Sequence, residues 1–262
     1  MKEATSYIFS INTGRAGSKY LTEIFRHVSG CRSFHEPEPI GNAQAMRRYA
    51  RGHFKAMKEV TAKKVDIINE LKRDCQIYFE SNHCFIKGFG WFIPQYLPEE
   101  QIGIIILKRD KVKIAKSSMR IGTCPLNSHG RDWISTPDMK APLVKPPTTP
   151  IKYHCARFTK FVLGIVLRIC RSFFTIKTCE KYFHYPIQWL FNYEMECLKW
   201  YVDETYAKAE AYKRQFPAIK YYEVDIEDLN SLESVQKMIA YFGCIGKESL
   251  KDVVGKPIGS KK

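Results

Sequence analysis

The stretch Thr13-Gly14-Arg15-Ala16-Gly17-Ser18-Lys19-Tyr20-Leu21 has the composition of an anion cradle. Gly14 and Gly17 let the backbone curl closely around an oxyanion. Ser18 and Lys19 add a hydroxyl and a cation, and Arg15 adds a permanent charge at the apex. The loop follows the apolar, β-prone run Tyr7–Asn12 and precedes Leu21, Ile24, Phe25 and Val28, which recur at i, i+3, i+4 and i+7 as one face of a helix. A loop between strand and helix aims free backbone N–H groups and the positive helix end at a phosphate. Only two residues separate the glycines, so this is not a Walker A loop, which needs four. A plain glycine-containing βα turn is the other reading of the same residues.

A second constellation is Ile104-Ile105-Ile106-Leu107-Lys108-Arg109-Asp110, with Ser117 eight positions after Arg109. Arg109 ends a buried strand, where ligands gather in open α/β sheets. Ser117 falls about two turns into the next helix, so a fork-shaped cation and a hydroxyl can converge on one phosphate. An Arg-Asp pair capping a helix, with an ordinary surface Ser, satisfies the same spacing. Two further segments carry groups able to move a proton. His35-Glu36-Pro37 closes the presumed second strand, and Glu80-Ser81-Asn82-His83 lies in the second β-rich region, Gln76–Phe89. Glu36 is otherwise a surface carboxylate paired with one of many cations, and His83 a satisfied core or loop histidine.

These groups need a scaffold, and the pattern supplies one. Ile102–Leu107 is nearly all Ile, as in a strand covered on both faces of a parallel sheet. Lys111–Met119 reads as the helix that follows it. Met57, Val60, Ile67, Ile68, Leu71 and Cys75 suggest another helix, interrupted on that face by Lys64. Leu198, Val202, Tyr206, Ala209, Tyr212 and Phe216 form a helical stripe that Pro217 ends. Ile219–Val224 is a late strand and Ser231–Phe242 a final helix with Ser231 as N-cap. Strands alternating with helices predict an α/β chain with a central parallel sheet flanked by helices. Residues 122–150 are rich in proline and read as a long irregular segment. The expectation is one domain over 1–262, with an irregular insertion around 122–190.

The chain has 262 residues, 45 % of them hydrophobic and 26 % charged, with a formal net charge of +15. That is globular composition, and the excess favours polyanions: nucleic acid, an anionic membrane or a nucleotide. Nine cysteines, an odd number with no C-x-x-C pair, read as reduced thiols in a cytoplasmic protein. No zinc spacing is present. The N-terminal apolar run is too short for a signal peptide. Phe158–Ile176 is the most apolar stretch, and Lys160, Arg168 and Arg171 interrupt it as a membrane span. It reads as an amphipathic helix packed on the domain or as a peripheral membrane contact. Neither a helix-turn-helix nor an RRM pattern is seen.

Taken together, the first two motifs resemble the PAPS-dependent sulfotransferase family, where PAPS is 3′-phosphoadenosine-5′-phosphosulfate. Thr13–Leu21 resembles that family's 5′-phosphosulfate loop, and Leu107-Lys108-Arg109-Asp110 with Ser117 its 3′-phosphate motif. Trp200–Thr205 followed by Tyr221–Leu229 also fits in order and separation. The resemblance covers most of the chain and is weak across 122–190. It implies a three-layer, P-loop-like α/β fold and a metal-free, in-line sulfuryl transfer from PAPS, leaving PAP (3′,5′-bisphosphoadenosine), to a hydroxyl or amine of a small-molecule or carbohydrate acceptor. A natural-product tailoring role and a cytoplasmic enzyme with no nucleic-acid partner and no transmembrane segment are in keeping with it.

By residue, the resemblance implies that Thr13, Gly14, Arg15, Ala16, Gly17, Ser18, Lys19 and Tyr20 surround the 5′-phosphosulfate. Arg109 and Ser117 would read the 3′-phosphate. Arg15 stands where many members have Lys, so it keeps the charge and loses a point-like proton donor. Glu36, 21 residues past Arg15, lies at about the distance of the base in Glu-using branches, with His35 second. His83 lies near the catalytic His of other branches; with Glu80 and Asn82 it otherwise lines the acceptor pocket. Lys256, in the basic tail Gly255–Lys261, would close over the nucleotide, and His129, Arg131 and Trp133 would touch the acceptor. Two other classes stay open on the residues alone. One is a P-loop nucleotide kinase, for which Asp110 is the only nearby Mg²⁺ carboxylate. The other is a basic nucleic-acid-binding protein.

Overall fold

The computed structural model describes residues 5–173 and 176–256, and within those the side chains other than 171–182. Five strands form one sheet: β1 (Tyr7–Ile11), β2 (Cys31–His35), β3 (Ile77–Ser81), β4 (Ile102–Lys108) and β5 (Lys220–Asp225). All neighbours are parallel and the order is β2-β3-β1-β4-β5. Helices α1 (Ser18–Arg26), α2 (Ala43–Ala50), α3 (Lys55–Lys72) and α8 (Leu232–Tyr241) accompany it, with Ser231 capping α8 through its side chain. The result is an α/β fold with a central parallel sheet flanked by helices. The apolar run of β4 is buried at every position from Ile102 to Leu107, as a strand between two helical layers must be. Helix α2 carried no sequence expectation; its residues Ala43–Ala50 bury only Met46, too little for a readable stripe.

The chain divides into two compact units, Met1–Asp110 with Thr205–Lys262, and Lys111–Glu204. The first holds the sheet. Its buried positions include a charged pair. Lys64, which breaks the apolar face of α3, is buried and its Nζ lies 2.8 Å from Oε1 of Glu80, which is fully buried on β3. Tyr78 donates to the other carboxylate oxygen at 2.7 Å and Asn82 donates to Oε1 at 2.9 Å. The interruption in the α3 pattern is thus the partner of a buried carboxylate, the arrangement that a buried charge requires.

The second unit contains α4 (Lys111–Arg120), the short α5 (Ser128–Arg131), α6 (Pro150–Phe173) and the part of α7 (Ile176–Gln215) up to Glu204. Helical structure from 150 onward replaces much of the irregular chain expected over 122–190. Helix α7 begins some twenty residues before the Leu198 stripe and runs through Pro186. Between 121 and 149 the backbone is pinned by side chains of α7. Glu204 accepts from the N–H groups of Leu143 and Val144 at 2.9 and 2.8 Å, and the Trp200 indole donates to the Val144 carbonyl at 2.9 Å. Two small cores hold this unit. Ala115, Ile134, Leu198, Trp200 and Tyr201 form one, and Leu126, Tyr153, Ala156 and Leu190 the other. Eight cysteines are described, all free; Cys179 lies outside the described side chains. Among the described residues no helix is long and apolar enough to cross a membrane.

Candidate active site

The candidate site is assembled at the carboxyl ends of the strands of the first unit. In a parallel sheet these ends share one edge, so the residues that follow each strand are brought together. Register pairs Ser10 of β1 with Ser81 of β3, and His35 of β2 with the same Ser81. Asn12-Thr13, Glu36, Asn82-His83 and Arg109 therefore emerge side by side.

The loop after β1 turns through two left-handed residues, Arg15 at φ 69° and Gly17 at φ 106°. Gly17 is the N-cap of α1, which has no side-chain cap and no acidic residue in its first turn. The leading N–H groups of a helix lack intrahelical partners, so this end is suited to an anion. A Cβ on Gly17 would lie 2.4 Å from Cδ1 of Ile226, whereas one on Gly14 would meet nothing nearer than the His83 ring at 3.8 Å. Gly17→Ala is therefore expected to lower stability by about 1–3 kcal/mol from backbone strain alone, with the overlap adding to it. Gly14→Ala is expected to cost less, and thermal melts of the two variants compare them.

Around this loop, Ala16 and Thr13 are fully buried, Ser18 nearly so, and Arg15 and Lys19 are exposed. Arg109 reaches the loop directly: its Nη1 donates to the Arg15 carbonyl at 2.7 Å. Tyr20 donates to the Leu229 carbonyl at 2.9 Å and accepts from the Gly255 N–H at 2.7 Å. That contact brings the C-terminal segment alongside α1. Lys256 is exposed, and its N–H bonds the Val253 carbonyl; Pro257–Lys262 lie outside the described residues. Three polar atoms at this edge are buried without a hydrogen-bond partner: Asn12 Oδ1, Thr13 Oγ1 and Arg109 Nε. Two of them belong to donors, as an anion would need, and buried groups of this kind ordinarily find partners.

Glu36 follows β2 with φ 49°, a left-handed conformation that costs a non-glycine residue about 1–3 kcal/mol. Its N–H donates to the Ser81 carbonyl at 3.1 Å. Two histidines flank its carboxylate. His83 Nε2 lies 3.3 Å from Oε1, and His35 Nδ1 lies 3.9 Å from Oε2. The far side of each imidazole is also engaged. His35 Nε2 is 2.9 Å from the Ser18 hydroxyl, and His83 Nδ1 is 2.6 Å from Nζ of Lys87, which is itself buried. Lys64 Nζ donates to the Pro37 carbonyl at 3.1 Å and Asn82 to the Ile40 carbonyl at 3.1 Å, so the segment after Glu36 is held from α3 and from β3.

Electrostatics separate these groups. Burial pushes the Glu36 carboxyl above the ordinary carboxylate range, the charges of Lys87 and Lys19 pull it back, and Glu80 adds to the rise. Burial lowers His35 to about 4, with Lys19 and Arg26 acting in the same direction. Burial also holds His83 well below its usual value, helped by Lys87 and then by His35. Both imidazoles are therefore neutral near pH 7, and the Glu36 carboxyl between them holds its proton more tightly than an ordinary carboxyl. A Lys87 ammonium that donates to His83 Nδ1 would place the proton of that ring on Nε2, facing Glu36.

The structure thus brings together Thr13–Tyr20, His35, Glu36, His83 and Arg109. Ser117 is a half-buried residue of α4 in the second unit. His129, Arg131 and Trp133 also belong to that unit, where Trp133 packs against the Trp200 core. Sequence reading did not single out Lys87. It lies in the turns between β3 and the 3₁₀ helix Phe89–Gln95, where no periodicity marks a buried face. Among the described residues no group of three or more His, Cys, Asp or Glu has the geometry of a metal site.

No protein-family model matches the chain, and no curated protein matches it. Among solved structures, a sulfotransferase from Alicyclobacillus acidocaldarius is similar at 12 % identity with a TM-score of 0.44, over 92 % of this chain and 82 % of that one.

Proposed function

We propose that this chain is a PAPS-dependent sulfotransferase that moves a sulfuryl group to a hydroxyl or amine of a small-molecule or carbohydrate acceptor. The observation that carries the reading is the 2.7 Å bond from Arg109 to the Arg15 carbonyl. It brings Arg109 and the Thr13–Tyr20 loop within bonding distance, which supports a site for a nucleotide phosphorylated at both 3′ and 5′ positions. The fit extends to the unpartnered Thr13 hydroxyl and Arg109 Nε, donors of the kind such a nucleotide would engage. When bound, PAPS supplies an activated sulfuryl group on a phosphate leaving group.

The chain's own residues would divide the remaining work. Gly17, Ser18 and Lys19 hold the 5′-phosphate at the first turn of α1, and Arg15 carries charge at the loop apex. Arg109 takes the 3′-phosphate; the part of Ser117 rests on its spacing from Arg109 in the sequence. Glu36 is the base. It accepts the acceptor's proton, and its raised affinity for that proton brings it closer to the working pH, where general-base catalysis is most effective. His83 is an orienting donor to Glu36 rather than a base, because Lys87 occupies one ring nitrogen and Glu36 the other. His35 couples Glu36 to Ser18 of the phosphate loop. The rest is positioning and fixed charge, as in phosphoryl transfer.

Arg109→Ala tests this arrangement. PAP binding, read by calorimetry, is expected to weaken by about 1.5–3 kcal/mol, the scale of a charged hydrogen bond. Unchanged PAP affinity in a folded Arg109→Ala protein contradicts the reading.

A further inference from the structure

Helix α6 carries a surface that the reaction does not use. Ile151, Cys155, Phe158, Val162, Ile165 and Ile169 are spaced by alternating four and three residues, which aligns them along a single face. All six are exposed, Ile151 by 76 %, Phe158 by 68 % and Ile169 by 56 %. The opposite face is satisfied: Tyr153 and Ala156 are buried in the second unit's core, and Leu163 packs against it. Lys160 on that side is paired with Glu194 through 2.8 Å contacts. The exposed stripe is flanked on one side by Lys152 and on the other by Arg157 and Arg168. On the same unit, Tyr185 and Trp189 of α7 are exposed one helical turn apart.

Charge says what covers this stripe. Residues 139–179 contain eight Lys and Arg and not one Asp or Glu, in a chain whose net charge is +15. A second copy of the chain is a poor occupant, because a two-fold contact sets identical patches against each other and so opposes like charges. Nucleic acid matches the charge and offers no apolar phase for Ile, Phe and Val. An anionic bilayer offers both. Its interface takes up the apolar face of an amphipathic helix while Lys and Arg on the flanks meet the lipid phosphates. Tyr and Trp are the side chains favoured at that depth.

We propose that the exposed face of α6, Ile151 to Ile169, docks this protein peripherally on the surface of an anionic membrane. The helix lies in the interface plane and does not span it. The proposal rests on the second unit alone and is independent of the reaction assigned to the first.

The test is flotation of the full chain with vesicles of phosphatidylcholine, with and without about 30 % phosphatidylserine. Binding to the anionic vesicles is expected, at least about tenfold over neutral ones and falling with salt. Phe158→Glu with Ile165→Glu is expected to lower it about a hundredfold or more. Both positions are exposed, so the melting temperature should stay that of the wild type. Lys152→Glu with Arg168→Glu keeps the stripe and is expected to remove the preference for anionic lipid. The proposal is overturned by failure of the wild type to bind vesicles, by equal binding to neutral vesicles, or by full binding in the Phe158/Ile165 variant. A concentration-dependent dimer that the Phe158/Ile165 variant dissociates also overturns it, as does an oligonucleotide complex abolished by the same change.

Discussion

Glu36→Gln is expected to reduce turnover of PAPS, with any acceptor the wild type uses, by about 10²–10⁴-fold, the contribution of a positioned general base. The amide preserves shape and keeps an oxygen for the His83 Nε2–H, so the loop Thr13–Tyr20 and its nucleotide affinity should be unaffected. Loss of kcat with unchanged PAP binding distinguishes this from a general loss of structure. The pH dependence follows from the same environment. Because the folded protein holds the Glu36 proton more tightly than the unfolded chain, the wild-type rate should rise with pH through a value above the ordinary carboxylate range. Folding stability moves the other way. The folded state binds more protons between the ordinary and the raised values, so stability falls as pH rises through that window. Above it, the wild type carries the cost of an ionised, poorly solvated carboxylate that Glu36→Gln lacks. The variant is therefore expected to be at least as stable as the wild type at neutral pH, while almost inactive. Denaturant titrations at two pH values check this, and a variant that is both active and less stable contradicts the assignment.

Lys64→Met is expected to lower stability by about 3–5 kcal/mol, because it leaves the carboxylate of Glu80 buried without its counter-charge. Glu80 is fully buried, and its remaining partners, Tyr78 and Asn82, are neutral donors. The midpoint of urea unfolding should fall with its slope unchanged. Lys64→Met with Glu80→Gln removes both charges and should recover part of the loss, so the two substitutions are strongly non-additive. The same lysine also donates to the Pro37 carbonyl, next to Glu36. The double variant, even if restored in stability, should therefore stay impaired in turnover. If stability and activity recover together, the buried pair serves the core and not the base.

The sheet was the most legible part of the chain. Strand β4 is apolar at consecutive positions and β1 leads directly into glycines, so burial on both faces and the turn that follows are written in residue type. Helix α8 carried its own cap in Ser231. The positions of the Thr13–Tyr20 turn and of Arg109 were legible for the same reason: each sits where a strand ends, and strand ends converge in a parallel sheet. What was illegible depends on contacts between distant segments. Lys64 looked like a flaw in an amphipathic helix until Glu80, sixteen residues on, was found beside it. Lys87 gave no signal, since the turns around it have no period. Over 122–150 proline content suggested irregular chain, whereas Phe158–Ile176 read as an amphipathic helix inside an insertion around 122–190. The helices α6 and α7 form there because Tyr153, Ala156 and Leu190 find a core, and the intervening backbone is held by Glu204 and Trp200. The helix over Phe158–Ile176 was legible, while the start of α6 at Pro150 was not, because proline there reads as the end of a loop.

One site is proposed to grip a nucleotide by both its 3′ and 5′ phosphates. Calorimetric titration with PAP beside adenosine 5′-monophosphate, which lacks only the 3′-phosphate, tests it most directly. PAP is expected to bind and the monophosphate to bind more weakly by about 1.5–3 kcal/mol, with the difference abolished in Arg109→Ala. Equal affinity for the two nucleotides, or no binding of either, would contradict it.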